Sequence, residues 1–446
     1  MDHTLELGTG RIGKLFLKYS IPSVIAMLFF SIYVVMDGIF VGQVVGGSAL
    51  AAINIAMPFF SFAMAISIMV SAGANTIVAI ELGQGKSEKA RKTFSLAFYT
   101  LMILSITVCF ITFIFLEPIC KALGATEELM PMVKQYLAVL CFFTPVFTGG
   151  GLLANGIRSM GKPTYSMFCT VIGSVLNIVF DYFFVVVWGT GVFGAAFASG
   201  LAFMISFLVS FFPYLKKSNV LHFTTCKVDF KKIGRFFYNG SSEALTEIAV
   251  AFSTYIFNIV LLKRIGETGV SAFSIITYVT SLVVALLLGI ATGIAPITGY
   301  NYGAKNGERI ISLNRLAFKV MLVIGVICTA GLFLFGKPLI LLFAPNDPEL
   351  IDMTVWATKL YGLAFLINGI NILGSAYFTA LEDAKTSALI SFLRGMAFIV
   401  VGIVFLPTLL GDAGIWLTVF FSEAITLIYT LYLFKRSFRR IQEENY

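Results

Sequence analysis

The chain has 446 residues, 58% of them hydrophobic and only 12% charged, where a soluble domain carries roughly a quarter charged residues. A mean hydropathy of +0.93 and 45 Phe exclude a water-soluble globular protein. The net charge of +8 would suit a nucleic-acid partner only if the bases formed one face of a soluble module, and no segment is polar enough to make one.

Apolar windows of about 20 residues, each enough to cross ~30 Å of hydrocarbon as a helix, recur twelve times. They run over 15–41, 50–81, 92–116, 132–156, 163–187, 192–215, 236–262, 270–300, 311–336, 353–380, 386–407 and 413–434. The windows are uninterrupted, not alternating, which predicts helices and not a barrel. Met1 to Ser20 are polar and lead into the first window without a small-residue cleavage site, so that window is expected to remain in the mature protein.

The first span carries Asp37, with Tyr33 one turn earlier on the same helix face. An intramembrane carboxylate costs about 2.5–3.5 kcal/mol even on the lenient insertion scale, so it should face a cavity or a partner. Burial favours the protonated form of an acid and a bound cation favours the ionised form; Asp37 is therefore a candidate proton or sodium site, the alternative being an acid that only ties two helices together. Pro22 lies on the same span, and Met27 in this span and Met64 in the second are candidates for an adaptable apolar cavity wall that would hold substrate. The fourth span holds Asn155, the fifth Asn177 and Asp181 four residues apart, and the sixth Ser199. An amide oxygen and a carboxylate at that spacing offer hard oxygen ligands to a small cation or a relay to a proton.

Residues 216–235 carry six bases and no long apolar run, and are expected to be a cytoplasmic linker between an N-terminal six-helix lobe (1–215) and a C-terminal lobe with a cytoplasmic tail (236–446). Beyond it, Glu243 and Glu247 sit near the start of the seventh span as gate or substrate candidates, joined by Asn258 and, in the eighth span, Tyr278. Asn368, Asn371 and Glu423 are expected to hydrogen-bond between helices.

Shifting the chain by 220 residues superimposes Gly46–Phe98 on Gly266–Phe318, with Gly73 over Gly293, Gly83 over Gly303 and Glu88 over Glu308. At nearby offsets Gly161-Lys162 falls over Ala384-Lys385, which a three-residue insertion would explain, and Gly194 over Gly414. A duplicated set of six spans implies parallel repeats about an axis along the membrane normal. The fold is expected to be an all-α membrane protein of twelve transmembrane helices in two pseudo-symmetric six-helix lobes. Asp37 falls opposite Phe257 and Asp181 opposite apolar sequence, so both acids belong to the first half alone.

Twenty-four of the 31 lysines and arginines, Arg394 included, are assigned to segments on one side. The positive-inside bias predicts both termini in the cytoplasm of a multi-pass plasma-membrane protein. His3 and His222 support no triad, the six cysteines form no CxxC pair, and no phosphate-cradling loop occurs. An enzyme, a cofactor and direct use of ATP are therefore not expected.

The chain resembles the multidrug and toxic compound extrusion (MATE) family over essentially its whole length. The resemblance rests on Ile21-Pro22, Met36 to Gly42, Leu82-Gly83-Gln84-Gly85, Asn155 to Pro163, Leu176 to Asp181 and Gly194 to Ser199. It implies two six-helix lobes in a V and export of cationic, amphipathic drugs in exchange for sodium or protons. By position, Asp37, Asn177 and Asp181 match the family's N-lobe cation and proton site, with a sodium ion as one occupant, and Tyr33 and Asn155 match its polar surround. Ser199 stands where a threonine is common. The C-lobe departs from one branch of the family, with Asn368 and Asn371 in place of an acid in span ten, so coupling is expected in the N-lobe of a functional monomer. The competing reading is a flippase for a lipid-linked oligosaccharide or another lipid intermediate; acids in the first lobe favour cationic cargo instead.

Overall fold

A computed structural model describes residues 4–341 and 347–443, and these are helical almost throughout. A short α1 (Leu5–Thr9) precedes α2 (Ile12–Phe40), α3 (Gly47–Gly83), α4 (Ser87–Ile114), α5 (Leu116–Ala122), α6 (Met130–Ser159), α7 (Pro163–Asp181) and α8 (Gly191–Leu215). The second half comprises α9 (Phe230–Arg264), α10 (Glu267–Gly303), α11 (Gly307–Leu341), α12 (Pro348–Gly362), α13 (Phe365–Ala380), α14 (Ala384–Phe392), α15 (Phe398–Leu410) and α16 (Asp412–Glu443). Among the described residues, eleven stretches are long and apolar enough to span a bilayer, and α12 with α13, bent by 50°, make a twelfth when the pair is taken as one span. The tenth span is thus two helices, with the break at Leu363-Ala364. Several helices also outrun their apolar windows: α16 continues to Glu443, nine residues past the hydrophobic limit at 434, because hydrogen bonding continues through residues that lipid would not accept.

The chain divides into two compact units, residues 1–10 with 21–240 and residues 11–20 with 241–446. The basic segment 216–235 lies wholly in the first, and the passage into the second falls inside α9, at Gly240-Ser241. Phe223 anchors that segment among Phe98, Phe211 and Tyr214, with ring centroids 4.7, 5.0 and 5.5 Å away. Arg91 Nε donates to the Val220 carbonyl at 2.8 Å. The buried Glu81 accepts from Thr93 Oγ1 at 2.5 Å and pairs with Lys89 and Lys232 at 3.3 and 3.5 Å. The start of α9 then lies against α3 so closely that a methyl group at Gly73 would meet the Phe236 carbonyl, and one at Gly240 the Met69 carbonyl.

Backbone conformation repeats with the sequence. Gly46 and Gly266, both with left-handed φ (103° and 90°), start α3 and α10. Lys305 takes the positive φ of Gly85, 220 residues earlier. Asn301 accepts from Arg309 Nε at 3.1 Å in the place of the Glu81–Lys89 pair. The turn after α6 corresponds to that after α13 with Gly161 over Glu382, both at positive φ and each bonding back three residues. The offset there is 221 and not 223, so the register needs one extra residue and not three.

Within the first unit, α3, α4 and α8 pack on α6, and α7 on α8. The core there runs through Ala52, Ala56, Leu137, Cys141 and Ala196. Within the second, α13 packs on α10 and α11, and α15 on α16; Phe257 stacks on Phe273 at 4.9 Å beside the fully buried Trp416.

Candidate functional site

Three stretches of wider, π-type winding interrupt the described helices: Val41–Val45 after α2, Tyr182–Val187 after α7 and Leu393–Ala397 between α14 and α15. Each lies within one helical turn of an intramembrane ionisable residue. Asp37 lies four residues before the first, Asp181 immediately before the second, and Arg394 within the third. Such winding displaces carbonyls from the helical ladder and is concentrated at functional positions. Side chains take up the displaced groups: Thr190 donates to the Phe184 carbonyl at 2.7 Å, Ser422 to that of Arg394 and Ser253 to that of Gly395, both at 2.6 Å.

The first unit brings Asp37 and Asp181 within electrostatic reach of each other. Asp181 and Asn177 are completely buried. Asn177 Nδ2 donates to Ser199 Oγ at 2.8 Å, which fixes the amide and leaves its oxygen on the other side. Tyr33 stands within electrostatic reach of both acids, held edge-on between Phe30 and Phe203 with centroids 5.0 and 5.4 Å away. Four buried oxygens of this cluster, Asp37 Oδ1, Asp181 Oδ1 and Oδ2, and Asn177 Oδ1, receive no hydrogen bond. Buried acceptors are almost always satisfied, so four without a donor on neighbouring side chains set this cluster apart from an ordinary helix-joining network.

Tyr136 of α6 is a further member that the sequence reading did not single out. It is buried and lies within electrostatic reach of Asp37, Tyr33 and Asp181; its signal was a hydroxyl-bearing ring one turn inside a span. Asn155, by contrast, is engaged elsewhere. Its Oδ1 accepts from Arg158, whose other amino group reaches Ser23 Oγ at 3.4 Å. Met64 packs on the hydrophobic core of the unit, and Met27 is half-buried.

The second unit contains a different arrangement. Arg394, counted among the bases of one side although window 386–407 contains it, lies inside the span formed by α14 and α15, where Nη2 and Nε donate to Glu423 Oε1 at 2.8 and 3.1 Å. Nη2 also donates to Asn368 Oδ1 at 2.9 Å, and Asn371 Nδ2 donates to Glu423 Oε2 at 2.6 Å. Arg394 therefore leaves the inventory of one-sided bases, and Asn368, Asn371 and Glu423 join helices as expected. Here the acid carries its own cation. Glu243 accepts from Thr379 Oγ1 at 3.1 Å at the edge of a hydroxyl cluster in which Ser375, Ser387 and Ser391 are linked at 2.9 and 3.1 Å. Glu247 is exposed, Asn258 half-buried and Tyr278 51% exposed.

The MatE family model matches residues 22–183 and 244–408. Over 414 residues, 92% of this chain and 91% of the relative, the chain is 23% identical to Multidrug export protein MepA of Staphylococcus aureus. A protein of the same name from Staphylococcus saprophyticus is 24% identical over 411 residues, 92% of this chain and 90% of its own. The outward-facing conformation of a multidrug resistance MATE family transporter of the MOP superfamily superimposes with a TM-score of 0.93 at 22% identity, covering 98% of both chains. A MOP superfamily transporter from Pyrococcus furiosus, described as having a binding pocket of reverse polarity that suggests a different function, matches with a TM-score of 0.91 at 22% identity over 98% of each chain. At these identities the superpositions establish the fold.

Proposed function

The chain belongs to the MATE family of transporters, and from that premise we propose that it is a secondary active multidrug exporter, exchanging cationic or amphipathic drugs for protons or sodium ions by alternating access. The observation that carries the proposal is the set of four buried, donor-free oxygens on Asp37, Asn177 and Asp181. Two neighbouring carboxyls at membrane depth cannot stay empty and ionised without a large desolvation cost. The site is occupied by a proton or by a sodium ion, or is neutralised by a cationic cargo, and its neutralisation by one releases the need for the other. That mutual exclusion is the thermodynamic requirement of exchange.

Tyr33 and Tyr136 bound the pair and limit the water that reaches it. Asn177 supplies a third oxygen, and Ser199 orients that amide. The Arg394–Glu423 pair is internally neutral, which supports coupling through the first unit. Both termini are assigned to the cytoplasm on the distribution of the remaining bases, in the plasma membrane, with the monomer as the transporting unit.

The test is efflux of ethidium from proteoliposomes under separately imposed proton and sodium gradients. Efflux driven by one gradient identifies the coupling ion. No movement of ethidium by well-folded protein under either gradient would overturn the multidrug reading and return weight to a lipid-intermediate flippase.

A further inference from the structure

The end of α16 continues past its apolar stretch as one basic face. Ile428, Leu431 and Tyr432 are 72, 46 and 59% exposed; one and two turns further on, the same face presents Lys435, Arg436 and Arg439. Two adjoining cavities, of about 360 and 810 Å³, open beside these bases and share Lys435 and Arg439 in their walls. Arg315 of α11 faces the smaller cavity, which has no acid in its wall. The larger has Asp383 and Glu443, but Asp383 already accepts from the Thr386 N–H at 3.2 Å as the cap of α14. Arg315, Lys435, Arg436 and Arg439 make no ion pair among the described residues. The floor is aromatic, with Phe318 against Phe434 at 4.7 Å and Phe434 against Phe438 at 5.6 Å.

We infer that this basic recess is a binding site for the phosphodiester headgroup of an anionic phospholipid. The order of chemistry along α16 matches that of such a lipid. Exposed apolar side chains stand where acyl chains run, and unpaired guanidinium and ammonium groups follow about 6 Å further along the axis, the rise of four residues, where the phosphate begins. Guanidinium groups suit the two non-bridging phosphate oxygens, and each base near an anionic bilayer surface adds attraction that salt screens. A free phosphate ion would use the bases but would gain nothing from the apolar strip, so lipid is the occupant assigned.

The test is thermal unfolding of the purified full chain in detergent, with added phosphatidylglycerol, phosphatidylcholine or inorganic phosphate, alongside mass spectrometry of the lipid retained on the intact protein. Phosphatidylglycerol is expected to raise the unfolding temperature and to remain bound, with phosphatidylcholine weaker. K435Q/R439Q is expected to lose roughly thirtyfold in apparent affinity for phosphatidylglycerol while unfolding at the wild-type temperature without lipid. Equal effects of the two lipids, unchanged binding in K435Q/R439Q, or full stabilisation by inorganic phosphate alone would each overturn the assignment. Should K435Q/R439Q fold poorly, R315Q, on a different helix, provides the same comparison.

Discussion

Removing one half of the Arg394–Glu423 pair is expected to cost far more than removing both. The side chains retain only 14 and 4% exposure. Arg394 spends two donors on Glu423 and one on Asn368, and Asn371 satisfies the second carboxylate oxygen. Arg394→Met leaves a buried carboxylate with a single neutral amide donor. Glu423→Met leaves a buried guanidinium with one amide oxygen. Each is expected to destabilise by about 3–5 kcal/mol, the range for a broken buried pair, whereas the double substitution, of similar volume and no charge, should lie within about 1 kcal/mol of wild type. The coupling is then several kcal/mol, far above the ~0.3–0.5 kcal/mol by which distant sites fail to add. Fluorescence-monitored unfolding in one detergent measures it, with the fully buried Trp416 as a reporter in the same unit. A double variant that loses the sum of the two single losses would refute the claim that this pair neutralises itself.

Gly73→Ala and Gly240→Ala are each expected to destabilise or block folding, since each methyl would enter a backbone carbonyl of the opposing helix. Gly150→Ala, with open space beside it in α6, should stabilise by about 0.8–1 kcal/mol through helix propensity; the same melts compare all three. Phe223→Ala should release the basic segment at a cost of about 3 kcal/mol, read as faster limited trypsin cleavage at Lys216, Lys217 and Lys227; unchanged cleavage would mean that the ring is not the anchor.

What was legible in the sequence is what lipid makes expensive. Asp37 and Asp181 stood out because hydrocarbon tolerates no casual carboxylate, and Asn177 because it precedes Asp181 by one turn. Ser199 was a weaker polar candidate from its place in the sixth span, to which the family pattern added its position, and the structure gives it a bond to Asn177. Tyr136 escaped because a tyrosine in a span carries no comparable penalty. Arg394 was counted with the bases of one side for the opposite reason: a lone base at the edge of an apolar window reads as an interfacial charge until its acid, 29 residues later, is brought beside it by packing that periodicity does not encode. Glu81 was hidden in the same way, since its partners Lys89 and Lys232 lie on two other helices. The repeat itself was plain where glycines hold left-handed turns, and it slipped by two residues where Glu382, a residue without that signature, takes the same conformation as Gly161.

The central claim, that coupling resides in the acid pair of the first unit, is tested most directly by ethidium efflux from proteoliposomes containing Asp37→Asn, Asp181→Asn or Glu243→Gln, each at matched insertion and under the gradient that drives wild type. The account predicts loss of gradient-driven efflux in both aspartate variants and retention in Glu243→Gln, whose carboxyl is held by Thr379 at the hydroxyl cluster. Efflux that survives in Asp37→Asn and Asp181→Asn but fails in Glu243→Gln would contradict it and move the coupling site to the second unit.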